Sequence, residues 1–275
     1  MQSPYKALFK IPDNKKRDSA RKDIFFQIEK LKYLFLKILM RIFTDGKFMN
    51  RLRCKLIRMR SYLPKEILIH KGDTVVQVGT HRQDTVERLV KLVGISGKVI
   101  IIEAEKSSYD YLQSYVQKKK YGNVHIVNIA ASNKKGTANF LLSNVLSDHR
   151  LRDDNIIHDN DSRGEGYIAD VTVDMDTIDN IMKKIKVNII DFIEITVNGA
   201  ELKVIQGMKD ILSHTRRIYT KGYAIDLKTG NEIGQEIMLF LKQRNFNVVV
   251  GKPSKSVTEN TWGKRKGDIF AWSDN

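Results

Sequence analysis

Polar residues that could take part in catalysis or ligand binding occur where apolar stretches of the sequence end. The segment 73–84, DTVVQVGTHRQD, runs from β-branched residues into Gly79 and then into a turn that holds His81. That order predicts the strand, tight turn and helix that open a nucleotide-binding fold. Such a turn commonly carries an acid and a second glycine, and Gln77 and Gln83 stand in their places here. The segment therefore indicates the fold more strongly than it indicates which ligand the fold binds.

A second polar cluster lies in the apolar segment 191–201, DFIEITVNGAE. Because side chains alternate along a strand, Glu194 and Thr196 are expected to point into the same neighbourhood. Glu194 could remove a proton from a hydroxyl group only if it faces the cleft, whereas Thr196 and Asn198 cannot supply a base. A glutamate within an apolar strand is costly unless it is paired.

Histidines and carboxylates also gather in the polar segment 143–166. They are His149, His158, Asp153, Asp154, Asp159 and Asp161. Their spacing matches no standard metal motif, and a polar segment of this length is more often a loop. We therefore expect a lid that closes over an acceptor, with metal binding as the weaker alternative. Among the other histidines, His81 is the candidate base because of its place in the turn.

These residues must be positioned by the elements around them. From Pro64 onward, short apolar runs alternate with helical segments, which is typical of a parallel sheet covered by helices. Strands are predicted at 74–78, 98–103, 123–128, 137–142, 169–173, 188–197, 217–224, 247–250 and 268–272, with 169–173 as an edge strand. Helices are predicted at 84–93, 107–120, 175–184, 200–212 and 233–244.

The predicted fold class is therefore α/β, a Rossmann-like doubly wound sheet of about seven strands with an N-terminal helical extension. Ligands of such sheets bind beyond the carboxyl ends of the strands. This rule favours the residues that follow Val78, Glu103, Asn128 and Ile195 as functional ones.

The N-terminal part of the chain differs from this domain in charge. The 275 residues carry a net charge of +16, and residues 1–60 alone hold 17 Lys or Arg against 5 Asp or Glu. Within residues 19–63, apolar residues recur at helical spacing and basic residues fall on the opposite face. We predict a basic helical arm over residues 1–63 and a Rossmann-like domain over residues 64–275.

Three interpretations of this arm stay open. It packs on the main domain with its basic face in solvent, it lies on an anionic membrane surface, or it binds nucleic acid. Nucleic acid is the least favoured, because the aromatic residues lie on the apolar helix face and not between the basic residues. The longest apolar run in the arm is four residues. A helix that spans a bilayer needs roughly 20.

Cysteine usage and the start of the sequence bear on the compartment. Cys54 is the only cysteine, which excludes a disulfide framework and a cysteine-based zinc site. The first residues are polar and basic, without the apolar core of a secretory leader. We expect a cytoplasmic protein, peripheral to a membrane if the arm binds lipid. The sequence does not indicate an oligomeric state.

The order of these segments resembles a known family. The stretches GDTVVQVGTH, GKVIIIEAEKSSYDYL, NVHIVNIAASNKKGTANF, VTVDMDTIDNIM and DFIEITVNGAELKVIQGMKDIL occur in collinear order over residues 66–250. They resemble the FkbM-type S-adenosylmethionine-dependent methyltransferases. The resemblance implies a Rossmann-like domain that binds S-adenosyl-L-methionine and methylates a hydroxyl oxygen, often on a sugar or a sugar-containing product.

The resemblance also implies roles for particular residues. The cofactor would be contacted by Gly79, Glu103, Asn128 and Ser132, with the carboxylate of Glu103 accepting both ribose hydroxyls. The acceptor side would be formed by Glu194, Thr196 and His81.

The chain departs from the family pattern at several of these positions. The family reads approximately V-D-V-G-A-N-x-G in the first motif, where this chain has Gln77 and Gln83 in place of the acid and the second glycine. It reads approximately D-F-I-K-I-D-V-E-G-A-E in the other, where Glu194, Thr196 and Asn198 replace Lys, Asp and Glu. A lost carboxylate weakens the attraction for the cationic sulfonium and ammonium groups of the cofactor. A lost glycine removes room for close backbone approach.

Two functional classes follow from these observations. The first is a methyltransferase that acts on a hydroxyl group of a small, glycan-type or lipid-linked acceptor. The second is a non-catalytic methyltransferase-fold module that its basic arm recruits to an anionic membrane or to RNA. A methyltransferase that acts on RNA is less favoured, because the predicted sheet domain itself is close to neutral.

Overall fold

The computed structural model describes most of the predicted Rossmann-like domain. The described residues are 67–143, 149–153, 156–157, 167–222, 224–226, 232–250 and 267–274. The predicted basic arm, residues 1–63, lies outside them. So do His158, Asp154, Asp159 and Asp161 of the predicted lid.

A seven-stranded sheet forms the centre of the described fold, which confirms the predicted Rossmann-like α/β class. Numbered in chain order and given in spatial order, its strands are β3 (Val124–Asn128), β2 (Lys98–Glu103), β1 (Thr74–Val78), β9 (Phe192–Ile195), β10 (Arg217–Lys221), β13 (Asp268–Trp272) and β12 (Asn247–Val250). The first five pair in parallel, whereas β13 lies antiparallel between β10 and β12. The chain runs outward from β1 to β3 and then returns to β9, so the strand order reverses between β1 and β9.

Helices cover both faces of this sheet. They are α1 (Gln83–Val93), α2 (Lys106–Lys119), α3 (Ile178–Lys184), α4 (Glu201–Gln206) and α5 (Ile233–Lys242). Because side chains alternate along a strand, Val75 and Ile101 pack against α1 and α2, whereas Val76 and Ile100 pack against the other three helices. No described helix is long and apolar enough to cross a membrane.

A second sheet, of four strands, follows β3. Its spatial order is β4 (Ala130–Ala131), β8 (Tyr167–Asp176), β5 (Gly136–Ser143) and β6 (Arg150–Leu151). A further strand pair joins β7 (Ile156–Ile157) to β11 (Ile225–Asp226). The predicted strand 169–173 is part of the longer β8. Residues 169–173 pair with β5 only, as predicted for an edge strand, and β4 pairs with β8 at Met175 and Asp176.

The prediction of one continuous helix over 200–212 is wrong. Helix α4 ends at Gln206, and a separate 3₁₀ helix covers Ile211–His214. The carboxylate of Asp179 accepts hydrogen bonds from the N–H groups of residues 209, 210 and 211, at 2.9, 3.1 and 2.9 Å. These bonds from a distant helix start the new turn, and so the break depends on a long-range contact.

Candidate active site

The carboxyl ends of β1, β2, β9 and β10 surround a cavity of about 310 Å³. This position, at the reversal of strand order, is where ligands bind in doubly wound folds. The volume is at the lower end of the roughly 300–1,000 Å³ that is usual for small-molecule sites. The predicted site residues that line the cavity are Gly79, His81, Glu103, Glu194 and Thr196.

Gly79 allows the turn after β1 to approach β9. Its φ of +79° lies in the left-handed region that L side chains rarely adopt. A Cβ at this position would lie 2.5 Å from the carbonyl oxygen of Thr196, which is closer than real Cβ atoms come. The glycine is therefore required by backbone packing between the two strand ends.

Glu103 ends β2 and places a buried carboxylate in the cavity wall. Its Oε2 accepts a hydrogen bond from the N–H of Thr80 at 3.0 Å, and its Oε1 accepts one from the N–H of Glu105 at 2.9 Å. Burial raises the pKa of Glu103 to about 7, although these two hydrogen bonds oppose the shift. Each oxygen keeps a lone pair, so the group can accept further donors from a ligand.

Asn128 and Ser132 do not line the cavity. The side-chain amide of Asn128 donates to the carbonyl oxygens of Glu103 and Ala104, at 2.9 and 3.0 Å, and so it fixes the chain that leaves β2. Ser132 is buried, and its N–H donates to the carbonyl oxygen of Asp176 at 2.9 Å. Both residues hold backbone next to the cavity and do not reach its wall.

Glu194 faces the cavity, with Gln77 of β1 and Tyr219 of β10 as its neighbours in register. Its Oε2 accepts a hydrogen bond at 3.1 Å from the guanidinium of Arg88 in α1, and the two form an ion pair. This pairing offsets the cost of placing a carboxylate within an apolar strand. The carboxylate is held by a cation and is therefore a weaker candidate base.

The hydroxyl group of Thr196 connects β9 to the glycine turn. It donates to the carbonyl oxygen of Gly79 at 3.2 Å and accepts from the side-chain amide of Gln77 at 3.4 Å. These contacts position the two strand ends next to each other.

Two histidines line the same cavity. Burial, and then the nearby Arg82 and His149, lower the pKa of His81, and Asp84 opposes the shift. A lowered pKa keeps the ring of His81 neutral at pH 7 and able to accept a proton. His149 precedes β6, and its Nδ1 accepts a hydrogen bond from the N–H of Ser143 at 3.0 Å. The described part of the predicted lid thus borders the cavity.

The cavity is also lined by residues that were not predicted as site residues, among them Asn198, Tyr219 and Lys221. Tyr219 and Lys221 belong to β10, which follows β9 in the chain and ends at the same edge of the sheet. That order was a usable signal in the sequence. Asn198 adopts a φ of +53°, and its amide donates to the carbonyl oxygen of His149 at 3.0 Å, a contact that no local pattern predicts.

No group of three or more His, Cys, Asp or Glu side chains in the described ranges could hold a metal ion.

The sequence matches the model of the methyltransferase FkbM domain over residues 77–248. The matched region contains the cavity and every strand that contributes to it except the first few residues of β1. Since the match covers well over half of the chain, the chain belongs to the FkbM methyltransferase family. No curated protein matches the sequence significantly.

Solved structures with similar folds have low sequence identity to the chain. A SAM-dependent methyltransferase from Aquifex aeolicus is 17% identical, with 76% of this chain and 85% of that chain covered and a TM-score of 0.39. Fibrillarin from Aeropyrum pernix with bound S-adenosyl-L-methionine is 11% identical, with 76% and 70% covered and a TM-score of 0.44. A putative methyltransferase from Streptococcus mutans in complex with SAH is 11% identical, with 74% and 90% covered and a TM-score of 0.41.

Proposed function

We propose that this chain transfers a methyl group from S-adenosyl-L-methionine to a hydroxyl group of a sugar-containing or lipid-linked acceptor. Membership of the FkbM methyltransferase family supports the reaction class. The observation that carries the cofactor assignment is the buried carboxylate of Glu103 at the end of β2, in the wall of the cavity.

The residues around the cavity fit this cofactor. Both oxygens of Glu103 retain acceptor capacity, which suits the two hydroxyl groups of a ribose. Gly79 lets the end of β1, which forms part of the cavity wall, lie close to β9. When bound, S-adenosyl-L-methionine supplies an electrophilic methyl group on its sulfonium.

The groups on the acceptor side support a hydroxyl acceptor. His81 has a lowered pKa, so at pH 7 its neutral ring can accept the proton that the acceptor hydroxyl loses. Asn198, Tyr219 and Lys221 add polar groups to the same wall, which suit a substrate rich in hydroxyl groups. Glu194 and Thr196 then have positioning roles. Glu194 holds Arg88, and the hydroxyl group of Thr196 holds the carbonyl group of Gly79.

The basic residues 19–63 extend the proposal to a partner. They would hold a cytoplasmic enzyme on an anionic membrane, where lipid-linked acceptors are presented. Cosedimentation of the full chain with vesicles that contain phosphatidylserine tests this. Binding that is strong at low salt, weak at high salt and absent with neutral vesicles supports it, and equal binding to both kinds of vesicle contradicts it.

Calorimetric titration tests the cofactor assignment. The full chain is titrated with S-adenosyl-L-methionine and with S-adenosylhomocysteine, and so is the variant Glu103→Ala. We expect micromolar binding to the unchanged chain and no binding to the variant. Asp110→Ala is the matched control, because Asp110 is an exposed helical carboxylate outside the cavity.

Each outcome has a clear meaning. Absence of binding of either ligand at millimolar concentration excludes the proposed activity and favours a non-catalytic module on a methyltransferase fold. Binding opens the search for the acceptor by transfer of a radiolabelled methyl group to glycan and lipid fractions. Labelled lipid or glycan supports the proposed acceptor class, and label only in RNA would replace it.

A further inference from the structure

Four turns lead into β1, β2, β3 and β9 at the edge of the main sheet that lies opposite the cavity. They cover residues 68–73, 94–97, 120–123 and 185–191. The side-chain amide of Asn123 donates to the carbonyl oxygens of Gly94 and Gly97, at 2.9 and 2.8 Å, and so joins the second and third turns. The carboxylate of Asp191 accepts from the N–H of Thr74 at 2.8 Å and joins the fourth turn to the start of β1. The four turns therefore form one connected surface, which we call the amino face.

The amino face exposes aliphatic side chains. Ile95, between α1 and β2, is fully exposed, and Leu68 and Ile189 are 38% and 47% exposed. Single exposed aliphatic residues are common on protein surfaces, but these three lie in adjoining short turns. Their exposure to water contributes nothing to folding. Such a cluster is typical of a surface that a partner removes from water.

The charge of the amino face is positive. Three of its turns each expose one lysine, and these are Lys71, Lys120 and Lys186. Within the four described turns, the only acidic residues are Asp73 and Asp191. Both are buried, and they form ion pairs with Arg217 and Arg216. The turns thus present cations and aliphatic groups to solvent, without an exposed carboxylate.

Further exposed lysines stand in the last turns of the helices that precede these turns: Lys91, Lys118, Lys119, Lys183 and Lys184. Two of them, Lys119 and Lys184, form ion pairs with Glu87 and Asp176. Basic residues at helix C-termini interact favourably with the helix dipole, which accounts for their position. The dipole does not account for the exposed aliphatic residues between them.

We propose that the amino face docks on an anionic lipid bilayer, with Ile95 inserted among the headgroups and the lysines against the lipid phosphates. Insertion removes the aliphatic groups from water, and the lysines are attracted by anionic lipid. Nucleic acid fits less well, because aliphatic side chains offer no platform on which bases stack. The basic residues 1–60 also fit less well as a cover, since two positive surfaces repel each other. This contact is separate from the one proposed for residues 19–63.

Docking by the amino face fixes where the cavity stands. The cavity lies at the other end of β1, which has five residues. At about 3.3 Å per residue, the cavity is about 17 Å farther from the bilayer than the start of this strand. This step rests on the proposed function, and it sharpens the acceptor class. A hydroxyl group carried outward on the glycan part of a lipid-linked acceptor suits that height, whereas one at the lipid headgroup does not.

The test places an environment-sensitive fluorophore on the full chain at Ile95→Cys. Cys54 is the only other cysteine of that variant, and Cys54→Ser makes the label unique. The labelled chain is mixed, without cofactor, with vesicles of phosphatidylcholine alone or with added phosphatidylserine. We expect a blue shift of the emission, and quenching by nitroxide-labelled lipid, with the anionic vesicles and not with the neutral ones.

Val171→Cys is the matched control. Val171 is a 37% exposed aliphatic residue of β8, and its neighbour in register, Phe140, lines the cavity. A fluorophore at this position should stay in water when the chain is bound to vesicles.

Partition of the unlabelled full chain into the anionic vesicles gives a second measurement. Ile95→Ser should lower the partition coefficient about tenfold, because the inserted aliphatic group is lost. Lys71→Gln should lower it about fivefold. Both residues are exposed, so the fold should be unaffected. Val171→Ser should leave the partition unchanged.

Several results overturn the proposal. One is a fluorophore at position 95 that stays in water while the chain cosediments with anionic vesicles, since residues 19–63 then bind alone. Equal responses to neutral and anionic vesicles overturn it, and so does absence of vesicle binding. A response to a polyuridine oligonucleotide and not to vesicles would assign the face to nucleic acid. Because these measurements use no cofactor, they are independent of the calorimetric test of the proposed function.

Discussion

The two ends of the same strands are built in opposite ways. At the amino ends of β1, β9 and β10, the charged groups of Asp73, Asp191 and Arg217 are buried and paired. The guanidinium of Arg217 contacts the carboxylate of Asp73 at 2.9 Å and the carbonyl oxygen of Asp191 at 2.7 Å. The carboxylate of Asp191 in turn accepts from the N–H of Thr74 at 2.8 Å and from Arg216 at 2.6 Å.

At the carboxyl ends, polar groups are left incompletely satisfied. Within the described residues, Oε1 of Gln77 is buried and has no hydrogen-bond partner, and burial raises the pKa of Glu103 to about 7. Such features cost stability and persist where a ligand site requires them. The comparison teaches that the buried groups at the amino ends stabilise the sheet, whereas the carboxyl ends are shaped for binding.

The largest expected effect is at the amino ends. Arg217→Met leaves Asp73 as a buried carboxylate without its cation, which should lower the free energy of unfolding by about 3–5 kcal/mol. Chemical denaturation at neutral pH measures this. Arg216→Met is the control, since Arg216 is largely exposed and its ion pair should contribute only about 0–1 kcal/mol. Equal losses for the two variants would contradict the comparison.

Replacing Glu103, in contrast to replacing Arg217, should stabilise the protein, by an amount that depends on pH. Its pKa is raised in the folded protein, so its contribution to stability is fully present below its ordinary pKa of 4.5 and is lost as pH rises through about 7. Between about pH 5 and pH 8, the free energy of unfolding of Glu103→Gln should therefore rise relative to that of the unchanged chain, by up to about 3 kcal/mol. Denaturation curves at the two pH values measure the difference. If the two chains differ in free energy of unfolding by the same amount at both pH values, burial does not raise the pKa of this carboxyl group.

Gly79→Ala should cost stability and reshape the cavity together. The added Cβ meets the carbonyl oxygen of Thr196 at a strained φ, which should lower the free energy of unfolding by about 2 kcal/mol. Gly122→Ala is the control, because a Cβ there meets nothing within 4 Å. Thermal unfolding compares the two. If Gly79→Ala does not change the stability, the backbone at the junction of β1 and β9 can relax to make room for the added Cβ.

His81→Gln should have the smallest effect on stability and a large one on activity. His81 is a partly exposed turn residue, so the free energy of unfolding should change by less than about 0.5 kcal/mol. Loss of a proton acceptor should lower the rate of methyl transfer to a hydroxyl acceptor by about 100-fold. His125→Gln, on an exposed position of β3, should leave the rate unchanged. A rate that survives His81→Gln would assign the proton to another group.

The main sheet could be read from the sequence because its signals are local. The bounds of β1 and β2 were predicted correctly from apolar runs that end at glycines or at a charged residue. The prediction of secondary structure is wrong where contacts with distant residues determine the structure. The break after α4 depends on Asp179, which no local pattern connects to it.

The site could be predicted in part for the same reason. The strand-end rule favoured Gly79 and Thr196, which follow β1 and β9, and the family resemblance added Glu103 and Glu194. All four residues line the cavity. The resemblance also suggested Asn128, whose amide donates to backbone carbonyl groups instead, and neither signal pointed to Lys221 at the end of β10. Whether a strand-end side chain faces the ligand depends on the contacts of its neighbours. Those contacts become visible only in three dimensions.

The place of β13 between β10 and β12 has a consequence for synthesis on the ribosome. Strand β13 follows both of its neighbours in the chain. A nascent chain that has made β10 and β12 therefore exposes the open backbone edge of β10 and leaves β12 without its partner. Such edges invite pairing with other chains. The emerging protein should depend on chaperones until residues 268–272 leave the exit tunnel and fill the gap.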